Sequence, residues 1–167
     1  TSADQSNSIA VDGSGNVHIT GTFLGTADFD PSAATANLVS VGSNDIFIAK
    51  YNSSGVYVWA KAMGSPGASS ADVGNSIALD ASGNVHITGY FLGTADFDPS
   101  GAVASLVTAG NTDIFIAKYN SSGAYVWAKR LGGTGSDLGY SIALDGSGNS
   151  QVTGSFNGTA DFDPSAA

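Results

Sequence analysis

The chain repeats itself, and the spacing of that repeat limits its folding options more than any other property. Residues 8–12 (SIAVD) return at 76–80 and 141–145 as SIALD, offset by 68 and then by 65 residues. GTADFDP at 25–31 returns at 93–99 and 158–164 with the same offsets, and DIFIAKYNSSG at 45–55 returns unaltered at 113–123. A period of this length makes each repeat one supersecondary unit whose apolar faces are buried by its neighbours. The three-residue difference lies between 64–75 and its counterpart 132–140, outside every strand expected below, which predicts a surface loop there.

Within one repeat the side-chain alternation predicts four strands. Residues 8–12 and 17–24 are joined by DGSGN, and 46–51 and 56–63 by NSSG, both supplied with Gly and Asx side chains for tight turns. Two hairpins make one four-stranded antiparallel sheet. In its third strand Ile46 and Ile48 oppose Phe47, Ala49 and Tyr51, and in its fourth Val56, Val58 and Ala60 oppose Tyr57 and Trp59. Both faces are apolar, so both must be covered. Helices do not supply the cover: no window holds helical apolar spacing, and all fourteen acids are Asp, a turn former, with no Glu.

Stacking of each sheet between its neighbours remains, which is the arrangement of β-propeller blades. The expected fold is all-β, a propeller-type repeat array of four-stranded antiparallel blades, with two full blades plus half a third. Residues 1–75 form the first repeat with a leading loop, 76–140 the second, and 141–167 the first half of a third. The repeat exceeds the usual blade of about 40–50 residues. The surplus lies at 25–44 and 93–112, where ADFDP and an apolar patch at 38–41 or 106–108 are expected to pair as a small extra hairpin. Closed propellers use about four to eight blades. The chain is therefore expected to be a piece of a longer array, with an oligomer or filament of copies as the alternative. An unpaired edge near 151–156 would invite strand addition.

The succession of DIFIAKYNSSG, a Trp closing the next strand (Trp59, Trp127) and GNSIALDASGNVHITGYF resembles the bacterial β-propeller repeat called SBBP. The first hairpin is similar to that of NHL-type blades. The resemblance implies that the SIALD strand lies innermost, next to the axis, and that the setting is extracellular or at the cell surface. It implies no reaction.

Five Lys and Arg against fourteen Asp give a net charge of −9, and no basic cluster exists to neutralise phosphates, so nucleic acid is not an expected partner. Without Cys there is neither a disulfide framework nor thiolate ligation. No run approaches the roughly 20 apolar residues that span a bilayer, so no membrane span is expected.

The strongest chemical candidate is ADFDP. On an extended strand Asp28 and Asp30 point one way and Phe29 the other, and Asp96/Asp98 and Asp161/Asp163 repeat the arrangement. Such pairs suit calcium, which takes six to eight oxygens; Asp12 or Asp45, turn carbonyls and water would complete the set. Acidic turns at a propeller rim are equally ordinary solvated structure, and the phrase lacks the spacing of a D-x-[DN]-x-[DN]-G loop. DGSGN lacks the downstream bidentate Glu of such loops and reads as a hairpin turn. His18 and His86 are equivalent, but the third repeat carries Gln151, which cannot do the same chemistry; polar packing is the expected role. Tyr57 and Trp59 are expected to pack between blades rather than to form a sugar-stacking platform.

No catalytic residue is expected, since no repeat differs by gaining an acid, base or nucleophile. The function expected is a non-catalytic structural or interaction module of a secreted or cell-surface repeat protein, adhesin-like or assembly-forming. The alternative is a ligand-binding propeller recognising carbohydrate or using rim calcium. Expected partners are further blades of the same parent chain or copies of itself, and an extracellular protein or glycan. Calcium is the one cofactor the residues suggest.

Overall fold

The computed structural model describes residues 4–163 and 165, all of it strands and turns. Strands β1 (Gln5–Val11), β2 (Val17–Asp28), β3 (Asn37–Tyr51) and β4 (Tyr57–Met63) form an antiparallel sheet in that order, and β5 (Gly67–Ala71) adds parallel to β3. Strands β6 (Val73–Leu79), β7 (Val85–Asp96), β8 (Ser105–Tyr119) and β9 (Tyr125–Gly133) repeat the sheet. β10 (Leu138–Leu144) and β11 (Ser150–Ser155) make a third, two-stranded one, and β12 (Ala160–Asp161) pairs with β9 of the second. The repeat array of four-stranded antiparallel units read from the sequence is the observed architecture.

The turns form for a local reason. Asp12 Oδ1 accepts the amides of Ser14 and Asn16, both at 2.9 Å, and Asn16 Nδ2 donates to Oδ2 at 2.8 Å. Asp80 and Asp145 hold the equivalent turns in the same way. This is the Asx turn that DGSGN encodes.

The first strand of each repeat starts earlier than SIALD does. Register shifts between Ser6 and Ser8, Gly74 and Ser76, and Gly139 and Ser141 mark a bulge, after which pairing continues outward. The second and third sheets therefore begin at Val73 and Leu138, three residues before the boundaries drawn at 76 and 141. Across from the bulge the chains approach so closely that a Cβ on Gly89 would overlap the Val73 carbonyl oxygen. The segment 64–75 is accordingly no free surface loop: it holds β5, the start of β6 and the buried Asp72.

The surplus residues do pair as a hairpin. Past a register shift at Gly25, whose φ is +76°, β2 and β3 pair again through Thr26–Val39, Ala27–Leu38 and Asp28–Asn37. The hairpin folds back over its own sheet: Tyr51 donates its hydroxyl to the Phe29 carbonyl at 2.9 Å, and the Phe29 ring lies 4.9 Å from Phe47 and 5.9 Å from Phe23. In the second repeat this hairpin is wedged against the first sheet, so Ala95 and Phe97 are completely buried while Phe29 is only partly so. Asp96 exchanges backbone hydrogen bonds with Gly64 of the first sheet, at 3.0 and 3.3 Å. β12 makes the same link from the third repeat to β9. The covering layer demanded by two apolar faces thus comes partly from the neighbouring sheet and partly from the hairpin.

The first strands of successive sheets are also tied in series. Ser8 Oγ accepts the Ile77 amide at 3.3 Å and Ser76 Oγ the Ile142 amide at 3.2 Å. Asn7 and Asn75 donate side-chain amides to the carbonyls of Gly74 and Gly139, at 3.0 and 2.7 Å. One core joins Ile46, Ile48 and Met63 of the first sheet to Val85, Ile87, Phe97 and Phe115 of the second.

Candidate functional site

At the Asx-turn end of the first and second sheets, a histidine, a carboxylate and a lysine lie together. His18 Nε2 is 3.5 Å and Lys50 Nζ 3.6 Å from Asp12 Oδ2; His86 and Lys118 stand 3.6 and 3.1 Å from Asp80 Oδ2. Trp59 and Trp127 meet these imidazoles edge-on at 6.0 and 6.1 Å. Burial lowers the pKa of both histidines, and the nearby lysines add to it, against the opposing pull of Asp12 and Asp80. With His18 fully buried, the arrangement is a neutral ring packed inside the fold rather than a proton shuttle facing solvent. His86 Nδ1 reaches Ser150 Oγ in the third sheet at 2.8 Å, whereas both nitrogens of His18 lack a hydrogen-bond partner. Trp59 lies beneath the turn of the second sheet, 3.1 Å from where a Cβ on Gly123 would stand, which is the inter-sheet packing expected of it.

The Asp pairs serve the hairpin tip. Asp28 Oδ1 accepts the amides of Asp30 at 3.0 Å and Ala36 at 2.8 Å, and Asp30 Oδ1 accepts the Ser32 amide at 2.8 Å. Asp96 and Asp98 repeat these bonds at 3.0, 2.9 and 2.9 Å. In the third repeat Asp161 accepts from Asp163 and Asp163 from Ser165. The amides of Ala36 and Asp30 hold the Asp28 carboxyl below the usual range. Phe29 and Phe97 point the opposite way, into the aromatic cluster, as the alternation predicts. Among the described residues no group of three or more metal-type side chains gathers around any pair.

A second set of acids lies at the opposite end from the Asx turns; of these the sequence reading singled out only Asp45, as a supplementary calcium ligand. Asp45, Asp72, Asp113 and Asp137 are all buried. Asp72 accepts the amide of Ser65 from the end of the first sheet and that of Leu92 from β7, at 2.9 Å for the latter; Asp137 accepts those of Gly133 at 2.7 Å and Asn157 at 2.9 Å. These two acids fasten the end of one sheet to the next. Asp45 accepts the Val41 amide, at 2.8 Å on Oδ2, and its Oδ1 has no hydrogen-bond partner. Burial pushes the Asp45 carboxyl up to about 6, with the charge of Asp72 adding to it. Burial also raises Asp72, against the amides it accepts. Asp113 instead pairs with Arg130, whose Nη1 donates to Oδ2 at 2.7 Å. The available signal was recurrence: an Asp opens DIFIAKY in both full repeats, and another stands two residues before the Gly of the second and third bulges.

Comparison with known proteins agrees with this architecture. A family model described as the SBBP β-propeller repeat matches residues 1–22 and 126–163. An uncharacterized WD repeat-containing protein of Acanthamoeba polyphaga mimivirus is 30% identical over 158 residues, covering 89% of this chain and 11% of that protein. The regulatory protein FlaEY of Caulobacter vibrioides is 27% identical over 113 residues, covering 68% of this chain and 12% of that protein. The chain spans about a tenth of the length of these relatives. Sheet order, hairpin order and sequence match agree: the chain is built of propeller-type β repeats, and residues 1–22 and 126–163 match the SBBP β-propeller repeat.

Proposed function

We propose that the chain is a non-catalytic structural and interaction module of a secreted or cell-surface repeat protein, adhesin-like or assembly-forming. The observation that carries this reading is that polar side chains at equivalent positions of successive repeats serve the fold. Asp12, Asp80 and Asp145 hold turns, Asp72 and Asp137 fasten sheets, and the histidines are neutral packing elements. Residues occupied in this way leave the outer turns and exposed valines such as Val39 and Val107 to meet further blades, copies of the chain, an extracellular protein or a glycan. Protease shaving of intact cells making the parent protein tests the location: digestion is expected, and a parent chain protected until lysis refutes the surface part. Binding of the immobilised chain to arrayed glycans and extracellular proteins tests the interaction part, and no saturable binder in either set refutes it.

A rim calcium is the second reading, favoured by the Asp28/Asp30, Asp96/Asp98 and Asp161/Asp163 pairs, whose turn bonds engage only Oδ1. Calcium bound to the folded chain raises its melting temperature by mass action. A melting temperature equal in millimolar calcium and in chelator refutes it.

A further inference from the structure

Between the first and second sheets lies a cleft of about 190 Å3 whose lining includes Val39, Val41, Asp45, Ala62, Asp96 and Asp98. Two observations point to a ligand for it. Asp45 is only 1% exposed, and among the described residues no cation pairs with it; its Oδ1 accepts no hydrogen bond, as is also true of Asp113 Oδ1, so the missing cation is what sets Asp45 apart. A buried carboxylate in that condition is costly unless a charge or donor reaches it. In the next repeat the equivalent carboxyl, Asp113, does hold a cation, the guanidinium of Arg130. Arg130 stands opposite Phe115 in the β8–β9 register as Ala62 stands opposite Phe47 in β3–β4. The second repeat therefore carries in its own strand a group that the first repeat lacks, at the very place where the cleft opens.

We propose that the cleft beside Ala62 is a receptor for a guanidinium group, the end of an arginine side chain presented from outside these 167 residues, which takes on Asp45 the place that Arg130 takes on Asp113. The one arginine of the chain is Arg130, already engaged, so the group must be supplied from elsewhere. The chemistry fits arginine better than lysine. A guanidinium is less strongly hydrated than an ammonium and offers a planar fork to a carboxylate. Its aliphatic stem would lie along Val39 and Val41, which are 62% and 63% exposed. Asp96 and Asp98 at the cleft, and the net charge of −9, draw a cation towards it.

The test is an amide-resolved NMR titration of the full chain with methylguanidinium at about pH 7.5, above the value of about 6 to which burial raises the Asp45 carboxyl. Saturable shifts are expected at the amides of Val41 and Gly64. Asp45→Asn is expected to weaken the apparent affinity by at least about tenfold, the worth of a charge-assisted hydrogen bond. Ala62→Leu fills the cleft without charge and is expected to abolish the shifts. Arg130→Ala opens the equivalent place in the second repeat and is expected to add a second set of shifts at Ala109 and Gly132. The proposal is overturned by shifts that survive both Asp45→Asn and Ala62→Leu, by methylammonium or calcium binding as tightly as methylguanidinium, or by Arg130→Ala adding no second site. Should Ala62→Leu fail to fold, the Asp45→Asn and Arg130→Ala arms decide the matter.

Discussion

Asp45 makes the chain less stable as the pH rises through the weakly acidic range, and the effect can be isolated by one substitution. Its carboxyl moves from an ordinary 3.8 to about 6 on folding, so between those values the folded state holds a proton that the unfolded state has lost. A group raised in this way contributes its full stability below the unfolded pKa, and the contribution is lost as the pH rises through the folded one. The whole shift corresponds to about 3 kcal/mol, and the part falling between about pH 4.5 and about pH 7.5 to about 2 kcal/mol, because the unfolded carboxyl is already largely ionised at the lower value. Full conversion is reasonable for a side chain only 1% exposed. Asp45→Asn keeps an acceptor for the Val41 amide and removes the titration. Its constant cost, including a buried amide without an acceptor, cancels when two pH values are compared. Urea unfolding of both proteins at the two pH values is therefore expected to show the variant gaining about 2 kcal/mol on the wild type as the pH rises. A stability difference that is equal at both pH values, or that shrinks as the pH rises, refutes the reasoning.

The wedged hairpin predicts an asymmetry between repeats. Phe97→Ala is expected to cost about 3–5 kcal/mol and Phe29→Ala clearly less, since only Phe97 is enclosed between two sheets; equal denaturation midpoints for the two would contradict the wedge. Gly89→Ala is expected to destabilise by more than about 3 kcal/mol, because the Val73 carbonyl it would strike belongs to a paired strand; a wild-type melting temperature would show that the bulge yields. Thr88→Val removes the hydroxyl that donates to the Phe115 carbonyl at 2.7 Å and is expected to cost about 1 kcal/mol in urea unfolding, with no loss meaning that this bond is redundant with the strand ladder.

The sequence by itself determined the repeat, the four strands, the turns and the inward direction of Phe29 and Phe97. Each rests on a property of neighbouring residues: period-two alternation, a left-handed glycine, an Asp whose carboxylate reaches an amide two residues on. It also showed that both faces of each sheet need a cover. What supplies the cover was decided by tertiary structure. The hairpin at 93–112 could have stood out at the rim, and only the meeting of Phe97 with Phe91 and Phe115, and of Asp96 with Gly64, fixes it between sheets. The acids divide along the same line. Asp12 and Asp28 hold amides close by in sequence, so their roles could be read locally. Asp72 and Leu92 are twenty residues apart, and Asp113 and Arg130 seventeen, so nothing in the local pattern distinguishes a buried sheet fastener from another rim carboxylate. Alanine in place of arginine at position 62 is unremarkable on a strand. Its consequence exists only because folding buries Asp45 beside it and leaves the cleft open.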